Sequence, residues 1–86
     1  MAKPEKQFRV GNVSASVFAN TIDSDRGKRT VRNVNLQRRY YDEKETDAEK
    51  KWKSSSSFGL GDLPQAIRVL MIAQKHIESI EADVTD

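Results

Sequence analysis

Two stretches of this chain alternate apolar and polar side chains with period two, and they commit it to a β-sheet. Residues 13–22 set Val13, Ala15, Val17 and Ala19 on one side and Ser14, Ser16, Phe18 and Asn20 on the other. Residues 29–41 set Val34 and Leu36 on a side with Thr30, Arg32, Arg38 and Tyr40, opposite Val31, Asn33, Asn35, Gln37, Arg39 and Tyr41. Successive side chains of a strand point to opposite faces, so both stretches read as half-buried strands. The polar run DSDRGK between them, with its Asx-turn formers and glycine, reads as a connecting loop.

Two shorter strands complete the expected sheet. Residues 8–10 are extended and end at Gly11-Asn12, a pair suited to a tight turn. Residues 52–60 alternate Trp52, Ser54, Ser56, Phe58 and Leu60 against Lys53, Ser55, Ser57 and Gly59. On this phase Trp52 and Phe58 are expected in the core, between sheet and helix. Residues 42–51 (DEKETDAEKK) are highly charged without an apolar face, and read as a mobile loop. Residues 1–6 and 83–86 are expected to be flexible.

The last element is a helix to about Ala82. Asp62 is a good N-cap, Gln65 stands at capping-box spacing, and Pro64 falls in the first turn, where its missing N–H costs nothing. Leu63, Ile67, Leu70, Ile77, Ile80 and Val84 recur at helical spacing and are assigned to the sheet. Val69, Ile72 and Ala73 widen that stripe and are assigned to a dimer interface. The expected fold is α+β, a four-stranded antiparallel sheet followed by one C-terminal helix, as one domain over residues 1–86 with an ordered core at about 8–82.

Composition explains why a second subunit is expected. A chain of 86 residues holds one domain and buries a small share of its surface. Hydrophobic residues make 36% and charged residues 33%, so the core is thin. Without cysteine there is neither a disulfide staple nor a thiolate metal site. A homodimer adds the missing buried area. The charged N-terminus MAKPEKQF has no apolar stretch of a signal peptide, and no run approaches the roughly 20 residues of a membrane span. A cytoplasmic location, away from membranes, is the expectation.

No constellation of residues in the sequence points to an enzyme. His76 is the sole histidine and belongs to no zinc set; it reads as structural. Ser54, Ser55, Ser56 and Ser57 lack a histidine–carboxylate context. Gly59-Leu60-Gly61 lacks both the third glycine of a dinucleotide fingerprint and the ending of a P-loop. Asp23, Asp25 and Asp42 lack calcium-loop spacing. Neither a cofactor nor a small-molecule substrate is expected.

Charge is divided unevenly. Residues 1–41 carry nine basic side chains against three acidic, and residues 42–86 carry six against ten. A basic half of the chain favours a polyanion as partner. The sheet face away from the helix is expected to carry Ser14, Ser16, Phe18, Asn33, Asn35, Gln37, Arg39, Tyr41, Lys53 and Ser55. Cations that track a phosphate backbone, beside aromatic rings that stack bases, are what single-stranded nucleic acid uses.

The order of short strand, three strands and helix over residues 8–82 resembles the β4-α unit of single-stranded-DNA-binding transcriptional regulators, the positive cofactor four coactivators and the Whirly proteins. The runs FRVGNVSASVFAN, NLQRRYYD and WKSSSSFGLGDLP also look like a set of small uncharacterised prokaryotic proteins. The first resemblance implies dimers joined through helices and strand ends, single-strand binding on the sheets, and a role in transcription regulation. Its matching positions here are Arg39, Tyr41 and Lys53, with Arg9 and Phe18 nearby; the fourth strand is Ser-rich where that family has lysines. The expected function is a small dimeric module for single-stranded DNA or RNA. The alternative is a protein-interaction or structural module.

Overall fold

A computed structural model describes residues 3–81 of the chain. The alternating stretches form strands β2 (Val13–Ser24) and β3 (Gly27–Tyr41), flanked by β1 (Lys6–Val10) and β4 (Trp52–Ser55) and followed by helix α1 (Leu63–Glu81). All neighbours are antiparallel, in the order β1-β2-β3-β4, so the fold is α+β with one four-stranded sheet and one C-terminal helix. Among the described residues, no helix is long and apolar enough to cross a membrane.

Gly11 turns β1 into β2 with φ +61, and Val10 pairs Val13 across a two-residue turn. A positive φ at the first central position is the glycine-requiring form of hairpin turn. A Cβ at Gly11 would lie 2.7 Å from the Gln65 side chain, so this turn sits directly beneath the first turn of α1.

β2 and β3 outrun their neighbours. β1 reaches only as far as Val17 on β2, and β4 pairs only Arg38 to Tyr41 on β3. The remainder is a two-stranded ribbon whose residues 19–30 are exposed on both faces. A 15-residue strand spans about 50 Å, which accounts for the 54 Å long axis of a molecule only 16 Å thick.

Cross-strand partners share a face, and the register assigns Phe8, Val10, Val13, Ala15, Val17, Val34 and Leu36 to the side covered by α1. Val13, Ala15 and Val17 are fully buried there with Ala66, Val69 and Ala73 of the helix. Phe8, Val10, Val34, Leu36, Phe58 and Ile77 pack around them.

This seating corrects the helix assignment. Val69 and Ala73, expected at a dimer interface, are 0% and 1% exposed in the chain's own core. Leu63, Ile67, Leu70 and Ile80, expected against the sheet, are 41%, 58%, 40% and 45% exposed. Only Ile77 of that stripe joins the core, Val84 lies outside the described residues, and Ile72 stays partly exposed. Small residues on both elements permit close approach of helix and sheet, so the helix turns its alanines inward and its larger side chains outward.

The fourth strand is corrected too. Trp52 is 54% exposed rather than buried, while Phe58 packs against the core as expected. In an unbroken strand the two would share a face. The strand ends at Ser55, whose Oγ accepts from the Ser57 N–H at 3.0 Å, and this local turn resets the phase before Phe58.

Order also extends further toward the N-terminus than expected. The Glu5 N–H donates to the Val17 carbonyl at 2.7 Å. The Glu5 carboxylate accepts two hydrogen bonds from Arg32, 2.9 and 3.0 Å, and Arg32 donates a third to Glu81 at 3.1 Å. The Arg32 guanidinium holds the Glu5 carboxyl below its usual pKa. His76 is partly buried with its ring edge-on to Phe8 at 5.6 Å, the structural place expected of it. At the other end of α1, Asp62 accepts from the Gly59 N–H at 3.0 Å and Gln65 from the Asn12 N–H at 3.4 Å, so the two caps serve the preceding turn and the β1–β2 turn.

Candidate nucleic-acid interface

The sheet face away from α1 is built by the other half of each alternation. Cross-strand pairs Arg9↔Ser14, Ser14↔Gln37, Ser16↔Asn35, Phe18↔Asn33, Arg39↔Ser54 and Tyr41↔Trp52 place these side chains together. Hydroxyls and amides fill the middle of the face, a cationic aromatic group occupies one end, and Phe18 lies toward the ribbon.

At the first end the Arg39 guanidinium lies 5.0 Å over the Trp52 ring. The Trp52 and Tyr41 rings meet edge to face, 5.3 Å between centroids and 69° apart. Lys51 Nζ sits 5.7 Å above Tyr41. The Asp42 N–H donates to the Lys51 carbonyl at 2.7 Å and closes the charged loop, so that Tyr41 and Trp52 form the first cross-strand pair beyond it. A cleft of about 140 Å³ opens here, lined by Arg9, Gly11, Asn12, Arg39 and Trp52. A second, shallower cavity of about 280 Å³ lies along the face, lined by Phe18, Asn20, Asn33 and Asn35.

The two sides of the sheet differ in how their cations are held. On the helix side Arg32 pairs with Glu5 and Glu81, Arg38 with Asp62, and Lys53 with Asp42. On the open side, Arg9 and Arg39 form no ion pair among the described residues, and no carboxylate belongs to that face of the strands. Among the described residues, the open face is therefore positive without internal neutralisation.

Of the five sequence-assigned binding residues, Arg9, Phe18, Arg39 and Tyr41 share this face and Lys53 does not. Lys53 pairs Tyr40 across the strands, on the helix side, and donates to Asp42 Oδ2 at 2.8 Å. That hydrogen bond raises the Lys53 pKa and, with the Lys44 N–H, lowers that of Asp42. Ser55 moves to the helix side with it. Trp52 takes the place Lys53 was assigned, and its signal was present in the sequence: if the loop closes on Tyr41 and Trp52, the two must share a face.

No family model, curated protein or solved structure matches this chain.

Proposed function

We propose that this protein binds single-stranded DNA or RNA across the open face of its sheet, with a role in regulating transcription. The observation that carries the reading is the convergence of Arg9, Arg39, Tyr41 and Trp52 on one face, around a cleft between two arginines that have no ion-pair partner among the described residues. Arginine binds phosphate bidentately, and exposed aromatic rings stack on bases that a duplex keeps hidden. The test is a fluorescence titration with labelled single-stranded and duplex oligonucleotides at two salt concentrations. The expected result is tighter binding of the single strand, weakening steeply with salt. Absence of single-strand binding at low salt overturns the reading.

A second copy of the chain is the proposed occupant of the exposed helix flank. Leu63, Ile67, Leu70 and Met71 form one stripe there, all at least 40% exposed. Among the described residues the buried core holds six, Val13, Ala15, Val17, Ala66, Val69 and Ala73, and self-association supplies further apolar burial. Light scattering at micromolar concentration is expected to give the dimer mass, and Ile67→Asp the monomer mass. Monomer mass for the wild type overturns this assignment.

A further inference from the structure

The cavity beside Phe18 differs in chemistry from the cleft at Trp52, and the difference separates what each can hold. Phe18 pairs directly with Asn33, and Asn20 and Asn35 are its neighbours on the same face. Among the described residues neither arginine nor lysine lines the cavity, so it offers a phosphate no charge-assisted contact. Its polar groups are three carboxamides, each with a carbonyl acceptor and two N–H donors. Among the described residues their side chains are engaged in no hydrogen bond within the chain, while Glu5, Asp42, Asp62 and Gln65 are so engaged. An aromatic ring framed by uncommitted amides can stack on a base and hydrogen-bond its edge.

We infer that this cavity is a base-selective subsite whose preferred occupant is an unpaired adenine, a reading that rests on the single-strand function proposed above. Phe18 is half-buried, which anchors the side chain in the sheet while leaving part of the ring to solvent. A purine offers more stacking area to such a ring than a pyrimidine does. An asparagine amide matches adenine in particular, accepting from its N6 amino group while donating to N7. Guanine sets two acceptors side by side, a pattern suited to arginine, and the cavity has none. Arg39 lies six positions beyond Asn33 on β3, about 20 Å of extended strand. The two subsites therefore meet different nucleotides of one chain, with affinity seated mainly at Trp52 and selection at Phe18.

The experiment compares short dA, dC and dT homopolymers of equal length, titrated against the full chain at one low salt concentration. The wild type is expected to bind dA about tenfold more tightly than dT, the scale of one good bidentate amide contact. Asn33→Ala/Asn35→Ala is expected to abolish that preference while retaining dT binding, with circular dichroism confirming the sheet. Asn35→Ala alone, a change at one exposed position, is expected to reduce it. Equal wild-type affinity for the three homopolymers, or preference for a pyrimidine, overturns base selection and leaves single-strand binding standing. A preference for dA that survives in the double variant also overturns it. Failure to bind any homopolymer overturns both readings together.

Discussion

The Arg39 guanidinium stacks 5.0 Å over the ring of Trp52, a residue whose neighbour Lys53 projects to the opposite side of the sheet. Trp52 is held by this contact and by Tyr41, and is still 54% exposed. An exposed cation–π contact is worth about 0.5–1 kcal/mol. Base stacking on an aromatic side chain is worth about 1–3 kcal/mol per base. The ring therefore has more to offer a ligand than the fold.

Trp52→Ala is accordingly expected to lower stability by about 1 kcal/mol and to weaken single-strand binding by about five- to 150-fold. Thermal melting and a binding titration on the same preparation check the two numbers. A stability loss of about 3–5 kcal/mol, the range for a truncated core aromatic, would place the ring in the core instead.

The two sides of α1 lead to opposite expectations. Ala66 is 4% exposed against the sheet, and enlarging it to leucine overfills a close-packed seam, at a cost of about 1–3 kcal/mol. Ile67, one residue on and 58% exposed, is expected to tolerate alanine with little loss in the isolated chain and a marked loss of self-association. Denaturant unfolding at low protein concentration, beside light scattering at high concentration, separates the two effects.

The strands were legible because period two is a property of the backbone itself, and Val13, Ala15, Val17, Val34 and Leu36 fall on the side that their alternation assigns. The helix was legible as a helix but not in its rotation. Its wide apolar surface offers both Leu63-Ile67-Leu70 and Ala66-Val69-Ala73 as candidate inner faces, and hydrophobicity favours the larger set. Packing favours the smaller set, because Ala15 and the helix alanines meet in one seam. The face of Trp52 and Lys53 was lost for a local reason. Alternation in the sequence runs on through Ser56 and Ser57 to Phe58, whereas the strand stops at Ser55. That Arg9 and Arg39 have no ion-pair partner among the described residues depends on where carboxylates lie in space, and alternation alone does not supply that.

Acid is expected to loosen the chain at two known points. Glu5 is held below its ordinary pKa of 4.5 chiefly by hydrogen bonding to Arg32, and Asp42 below its ordinary 3.8 chiefly by Lys53. A carboxyl depressed in the folded state contributes stability that is full above its unfolded pKa and is lost as pH falls through the folded one. Melting temperature is thus expected to fall progressively below about pH 4.5. Glu5→Gln is expected to melt lower than the wild type at neutral pH, with the difference shrinking in acid. A constant difference from pH 7 to pH 3 would show that the Glu5 charge contributes nothing.

The salt dependence of binding distinguishes the two faces of the sheet. For a single strand, log affinity falls with log salt by about 0.7 per phosphate neutralised. Arg9 and Arg39 stand on the open face without carboxylate partners among the described residues, whereas Lys53 is on the helix side and committed to Asp42. Arg9→Ala/Arg39→Ala is therefore expected to weaken binding and to flatten the slope by about 1.4, two phosphate contacts' worth. Lys53→Ala is expected to leave the slope unchanged and to lower stability slightly through loss of the Asp42 pair. Tyr41→Ala is expected to weaken binding at an unchanged slope, because stacking releases no counterions. A slope that responds to Lys53 and not to Arg9 and Arg39 would move the ligand to the helix side of the sheet.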